Sequence, residues 1–424
     1  MNRFLCARIV CLISVVAVML TNGRVVIAES NNEERKDSCE ERLSLDTFRA
    51  YALNHSPLVA EIDRDYSEAL AQAFEIEALQ NPELQVERSF TRMKLDGAND
   101  PQTEVSISQP LRLSNFGTRS NVSELMKRAG DVQKKLALLE LTQKIGLQFK
   151  TLYVYQKTKS ILEEAETRAG KKVELIREGV RKGLLSRGDE KLFEGEKFRL
   201  QAHLKNIEAK VAVVRNDLAK SVGLSCIRDV ILSDKLEDVP SLKVLLEKAR
   251  SSKFSEIAKI EALAALSQEQ ERLASLDVIP EITPRLIYQH SNDGGDFFGA
   301  GFSIPLPFWN QNQSEKLRAG AQNKIIQLKK RFLQDGGIES QITETLNAVL
   351  RAQEQAMLFS EKVVPSFEGA LVAQEELYSQ GKGDVLQVWQ TLRAVNEAQA
   401  EGLEVWLQAV SVRSELSILV GDEI

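Results

Sequence analysis

The sequence predicts a mainly α-helical chain that also carries β-strands, with one structural unit written twice. Three observations predict it. Landmark residues recur at a fixed distance: Gly183 and Gly381, Gly223 and Gly421, and Pro82 and Pro280 each stand 198 positions apart, which marks an internal repeat. Segments of about 60 residues carry apolar stripes at helical spacing, too long to close around one globular core. Between them lie short stretches that alternate apolar with small or polar residues, the period of a strand with one greasy and one wet face.

The N-terminus starts with Arg3 and Arg8, then the apolar run Ile9 to Leu20, then Val26-Ile27-Ala28. A charged start, a short apolar core and a small-residue site predict a signal peptide over 1–28, cut after Ala28. The apolar core falls short of the ~20 residues a spanning helix needs. The segment holds three Arg and no acid, so its removal takes the net charge of −6 to −9. Neither Cys6 nor Cys11 sits in a lipid-anchor context. A flexible segment over 29–42 follows, then repeat 1 over 43–223, a linker over 224–240 and repeat 2 over 241–424.

In repeat 1, Leu43 to about Gln80 is expected helical, interrupted at Asn54-His55-Ser56-Pro57, and Pro82 stops it. Strands follow over Leu84 to about Phe90 and Glu104 to about Gln109, joined by the turn-rich Lys94 to Pro101. Val105 and Ile107 face one way, Ser106 and Ser108 the other. A helix from about Ser120 to Arg181 spans ~90 Å at ~1.5 Å per residue. Gly183 ends it, and a second long helix covers about Asp189 to Ser221. The stripes Leu139, Gln143, Gly146, Phe149, Lys150, Tyr153 and Leu192, Phe198, Leu204, Val211, Leu218 are the expected seams. Leu141, Ile145, Val213 and Val214 lie off them, so each helix should touch two neighbours.

Repeat 2 follows the same plan: a helix from Ser241 to about Ser275, strands over Glu281 to Gln289 and Phe297 to Leu306, a helix from about Gln313 to Ser379, and a last helix from about Val385 to Val420. Ser108-Gln109-Pro110-Leu111 matches Ser303-Ile304-Pro305-Leu306. Asp335-Gly336-Gly337 lies inside the long helix, where two glycines cost roughly 2 kcal/mol relative to alanine. A kink or register change is expected there.

In the stretch Gly299 to Ile304, Gly299, Gly301 and Ser303 alternate with Ala300, Phe302 and Ile304; Pro305 and Pro307 then end the strand, and Trp309-Asn310-Gln311-Asn312-Gln313 leads into a helix. This segment resembles the signature of outer-membrane efflux channels, the TolC-like family, and in particular their heavy-metal (cobalt–zinc–cadmium type) branch. The resemblance extends from Leu43 to Gly421. Four strands cannot close a membrane barrel, which needs at least about eight. The resemblance implies the remedy: a homotrimer whose 12 strands form one barrel in the outer membrane of a Gram-negative-type envelope, continued as a coiled-coil-like helical barrel through the periplasm. It implies further partners too: outer-membrane lipid, a periplasmic adaptor and an inner-membrane pump, expected to be proton-driven.

The resemblance also implies site residues. Pro305, Pro307, Trp309, Asn310 and Asn312 form the barrel-to-helix junction. The turns Gly183-Leu184-Leu185-Ser186 and Gly381-Lys382-Gly383-Asp384 form the adaptor-contacting tips, with Lys382-Gly383 replacing the family's usual apolar pair. Where relatives place constricting acids, this chain has Gln387 and Gln390, so Asp384 or Glu190 is the remaining candidate for an acidic ring. Once the signal is removed Cys39 and Cys226 remain, and an oxidising periplasm makes them a candidate disulfide.

The chain is 27% charged and 43% hydrophobic, with 10 prolines and 6% aromatics, which suits long helices and shows no nucleic-acid footprint. His55, His203 and His290 share no spacing, and no nucleotide loop, hydrolase elbow or zinc motif occurs. No enzyme activity, cofactor or metal site is expected. The open alternatives are a channel for drugs or organic solutes, a duct for secreted polypeptides, and a soluble periplasmic coiled-coil scaffold or adaptor.

Overall fold

Serines set the first helices. The Ser44 hydroxyl accepts from Thr47 N–H, opening α1 (Leu45–His55), and the Ser56 hydroxyl accepts from Leu58 N–H, opening α2 (Pro57–Glu77) with Pro57 at its first position. The structure is a computed structural model, and it describes residues 44–92, 99–112, 115–227, 230–232, 236, 238–252, 255–291 and 295–424. The signal peptide, the 29–42 segment, Leu43 and Cys39 lie outside the described residues.

The strands are β1 (Glu83–Arg92) and β2 (Asn99–Ser108). The expected connector is shorter, because Asn99 to Pro101 already belong to β2; Pro101 is tolerated so near the strand's start. Then come α3 (Phe116–Arg181), 66 residues without a break, and α4 (Arg187–Val222).

In the second half the single helix expected from Ser241 to Ser275 is two: α5 (Leu242–Ser251) and α6 (Glu256–Leu276). Ser255 is the cause. Its hydroxyl accepts from Ala258 N–H and so starts a new helix, the same device as Ser56 without the proline. The two breaks are tied down alike: Ser56 Oγ donates to the Ser221 carbonyl, and Ser252 Oγ to the Gly421 carbonyl.

Strands β3 (Thr283–Ser291) and β4 (Asp296–Ser303) complete one antiparallel sheet in the order β1-β2-β3-β4. β4 stops at Ser303, three residues before the expected Leu306. The rod after it comprises α7 (Gln313–Phe332), a π-turn over Leu333–Gly337, α8 (Ile338–Leu358), a second π-turn over Phe359–Val363, and α9 (Val364–Ser379). The first π-turn is the expected kink, with Gly336 at φ 99°. The second was not foreseen; Pro365 causes it, since its ring would clash with the carbonyl four residues back in a regular helix. Last comes α10 (Val385–Val420).

The turns match at the level of single hydrogen bonds. Leu184 N–H donates to the Gly179 carbonyl (2.9 Å) and Lys382 N–H to the Leu377 carbonyl (3.0 Å). Gly183 and Gly381 both take left-handed conformations, φ 73° and 70°, which a glycine adopts without the Cβ penalty.

The elements pack in rows. Beside the sheet, α2 lies on α3, α3 on α6, and α6 on α7. Towards the turns, α4 lies on α3, α3 on α10, and α10 on α8 and α9. One apolar cluster (Phe48, Phe149, Leu152, Leu218) joins α1, α3 and α4, and another (Ile176, Phe193, Leu371, Trp389, Leu392) joins both halves near the turns. The α3 seam is as expected at Gln143, Gly146, Phe149 and Tyr153, all buried. The α4 seam is as expected only at Val211 and Leu218: Phe193, Leu200 and Ile207 are buried with them, while Leu192 and Phe198 are exposed. The true seam keeps a seven-residue step (193, 200, 207), and Leu192 and Phe198 stand off it.

Candidate functional site

The sheet has two chemically different faces. Strand pairing sets Leu84, Ile107, Leu286 and Ala300 in one cross-strand row and Val86, Val105, Tyr288 and Phe298 in the next. These share a face with Phe302. The face is bare of packing: Phe298 is 77% exposed and Phe302 74%, with Leu84, Val86 and Leu286 also exposed. The polar face carries Gln85, Glu87, Glu104, Ser106, Arg285, Gln289, Gly301 and Ser303, with Phe297 and Ile287 as exceptions. There Arg285 Nη2 lies 2.8 Å from both Glu104 Oε1 and Ser106 Oγ, and 3.3 Å from Gln85 Oε1. An exposed apolar face of this extent on a soluble sheet would drive aggregation.

Among the described residues every row has two free edges. Among the described residues β1 and β4 have no strand beyond them. The helices at the ends of the rows are α2 and α4 on one side, α7, α8 and α9 on the other. Exposed apolar residues line these edges: Phe74, Leu192 and Phe198 on the first, Leu328, Phe332 and Val372 on the second.

At the junction between sheet and helices, Asn312 takes φ 58° as the residue capping α7. Its N–H donates to Asn310 Oδ1 (3.1 Å) and its Nδ2 to the Ala274 carbonyl (3.1 Å). Pro305 and Pro307 lead the chain over a cavity of about 1220 Å³ between α3, α6 and α7, and Trp309 is 91% exposed beside it. The sequence reading missed the first-half counterpart. Asn115 precedes α3, is buried, and donates to Asp277 Oδ1. Arg119 Nη2 grips both Asp277 oxygens (2.9 and 3.1 Å) while its Nε donates to Asn115 Oδ1 (3.1 Å). Extending the match of Ser108 with Ser303 by seven residues pairs Asn115 with Asn310, so the signal was present.

At the first turn Leu184 is 76% exposed. Ser186 and Asp189 form a reciprocal cap: Ser186 N–H and Oγ reach Asp189 Oδ2 (3.0 and 2.8 Å), and Asp189 N–H donates to Ser186 Oγ (3.1 Å). These bonds, the hydroxyl's first, hold the Asp189 carboxyl below its ordinary value. Glu190 is not a free acid, since Arg177 Nε donates to it at 3.2 Å. The same guanidinium reaches Glu174 and Glu194, both at 2.9 Å. At the second turn Asp384 Oδ1 accepts from Leu386 N–H (3.0 Å), and Gln387 and Gln390 are exposed one turn on. Cys226 carries a disulfide bond. Among the described residues no cluster of His, Cys, Asp and Glu is arranged to hold a metal ion.

This geometry can be set against known proteins. The structure is similar to the outer membrane protein VceC of Vibrio cholerae, at TM-score 0.70 and 16% identity over 89% of this chain and 96% of that one. It is equally similar to CusC (TM-score 0.71, 16% identity, 89% and 92%) and to the MtrE outer membrane channel of Neisseria gonorrhoeae (0.71, 16%, 89% and 89%). The fold is that of the outer-membrane channels. No family model matches the sequence, and no curated protein matches it. Among the described residues no helix is long and apolar enough to cross a membrane.

Proposed function

We propose that the chain is one protomer of an outer-membrane efflux channel, a passive exit duct from periplasm to exterior. The carrying observation is the two-faced sheet: a bare apolar face for lipid and a polar face for water, with both edges open. An open edge in lipid leaves backbone groups unsatisfied, so the sheet needs further strands. Among the described residues each row of elements has two free edges, and joining one edge to the other of the next copy makes a head-to-tail ring. Three copies give 12 strands, enough to close a barrel.

The partners follow from the same reading. A periplasmic adaptor meets the tips Gly183 to Ser186 and Gly381 to Asp384, where Leu184 offers an exposed apolar contact. An inner-membrane pump, proton-driven, supplies the energy, as a duct without its own fuel requires. The mature chain begins at Glu29, and its two repeats each contribute two strands and one helical hairpin. At the constriction Gln387 and Gln390 are neutral, so Asp384 is the carboxylate proposed there, one per chain.

Heavy-metal cations are the proposed cargo, on the resemblance of Pro305 to Gln313 to the heavy-metal branch. The test is a strain lacking the chain, challenged with cobalt, zinc and cadmium salts and with a panel of dyes and detergents. Sensitivity to the metals alone supports the cargo; sensitivity to the organic panel alone replaces it with the solute reading.

A further inference from the structure

The two free edges carry opposite charge where the helices meet the sheet. On the first edge α2 has six acids and one base, Arg64, and Asp65 already occupies that guanidinium at 2.7 Å. On the second edge α7 has six bases and one acid, Glu315. Towards the turns the signs exchange sides. There α4 on the first edge has eight bases and six acids, while residues 338–379 on the second have two bases and seven acids. We propose that this crossed pattern is the code by which the chain recognises its own copies: α2 lies against α7 of the next copy, and α4 against its α8 and α9. The proposal rests on the channel reading and adds to it what selects the partner.

The charges beside the sheet stand free of the chain's own packing. Glu61, Glu68 and Glu75 are exposed and seven residues apart, so they lie in one line along α2. That line is off the face of α2 that packs on α3, marked by Tyr66, Ala69 and Ile76. On α7, Lys324, Lys329 and Arg331 are exposed. None of these six side chains forms an ion pair among the described residues. Glu61 and Lys329 also stand at one height. Each is 16 residues from the helix end beside the sheet (77 − 61 and 329 − 313), which is ~24 Å at ~1.5 Å per residue.

A second copy is the occupant because the same edges belong to the sheet. Five residues join α2 to β1 and nine join β4 to α7, so the pairing that closes β1 onto β4 of the next copy brings α2 and α7 together with it. Like edge on like edge would set α2 against α2 or α7 against α7, and would end as a two-fold dimer whose sheet still has open edges. Exposed ion pairs add little affinity. Opposing like charges is costly, so the code acts by excluding the wrong junction.

The yield of heat-labile trimer from outer membranes tests this in the full chain. Reversing one edge, by Glu61→Lys, Glu68→Lys and Glu75→Lys or by Lys324→Glu, Lys329→Glu and Arg331→Glu, should lower the trimer about fivefold or more. All six together should restore it to within about twofold of native, because the two edges are opposite again. Native yield in both single-edge variants, or no recovery with all six in chains that fold, overturns the code. If the reversed chains do not fold, the neutral variant Glu61→Gln, Glu68→Gln and Glu75→Gln decides. Added salt should lower the temperature at which the native trimer dissociates in detergent, and should move that of the neutral variant much less. Equal salt shifts overturn the code. A native trimer with unaffected variants removes only the code; a native chain that stays a soluble monomer removes the channel reading itself.

Discussion

Leu185 lies over Gly179: a Cβ on that glycine would stand 2.7 Å from Leu185 Cδ1. In the second half the sizes are exchanged. The position matching Gly179 is Leu377 and the one matching Leu185 is Gly383, where a Cβ would meet the Tyr378 nitrogen at 2.7 Å and the Leu377 carbonyl carbon at 3.0 Å. Each tip thus holds one leucine and one glycine across the same turn, in opposite order. Gly383 therefore stands against backbone, where its first-half counterpart Leu185 stands over Gly179.

Because what stands against Gly383 is backbone, a side chain there should not be rescued from the other position. Gly383→Ala should lower stability by about 1–3 kcal/mol through overpacking, and adding Leu377→Gly should recover none of it. Thermal unfolding in detergent measures both. A double variant more stable than Gly383→Ala would contradict the backbone contact.

Arg119 and Asp277 join the two halves beside the sheet with little exposure. Removing either side chain leaves the other charge poorly satisfied, so Arg119→Ala and Asp277→Ala should each cost about 1–3 kcal/mol. The double variant should cost clearly less than the sum, a coupling of about 1 kcal/mol or more. Strict additivity in denaturant unfolding would mean the pair is not a strut.

The first tip should loosen in acid. Asp189 has its folded pKa held below its unfolded value, so its contribution is complete above the unfolded value of about 3.9 and is lost as pH falls through the folded one. Hydrogen exchange of the tip, corrected for intrinsic rates, should rise below about pH 4 in the native chain. Asp189→Asn should show elevated exchange already at neutral pH and no such step.

Cys226 is bonded, and Cys39 is its proposed partner. Denatured, unreduced mature protein should take up no maleimide, and Cys39→Ser should expose one thiol at Cys226. Losing a native disulfide commonly costs about 2–5 kcal/mol. A maleimide adduct on Cys226 of the unreduced native chain would end the pairing.

Much of the fold was legible because its punctuation is local. α10 runs between Asp384, which caps it, and Gly421 at φ 74°, and both residues say so in sequence. The break at Ser255 and the π-turn before Pro365 were harder to see. A serine cap carries no obligatory signal, and a proline near a helix end is ordinary. Leu192 and Phe198 misled for another reason. Apolar residues on a free edge have the periodicity of core, and only the packed structure shows that they are exposed among the described residues. The candidate sites divide likewise: the tips announce themselves through glycine, whereas the grip of Arg119 on Asp277 joins residues 158 apart and has no local mark.

The central claim is that one face of the sheet meets lipid. Because β4 ends at Ser303, Phe302 lies at the strand's end, and the decisive neighbours are Ala300 on the apolar face and Gly301 on the polar one, where a new side chain meets open space. A charge near the bilayer midplane costs ~2–4 kcal/mol on the lipid face and far less towards water. The measurement is the yield of heat-labile trimer from outer membranes for Ala300→Arg and Gly301→Arg. The account predicts loss of trimer for Ala300→Arg and near-native trimer for Gly301→Arg. Equal yields, or a soluble monomer in both cases, would contradict it.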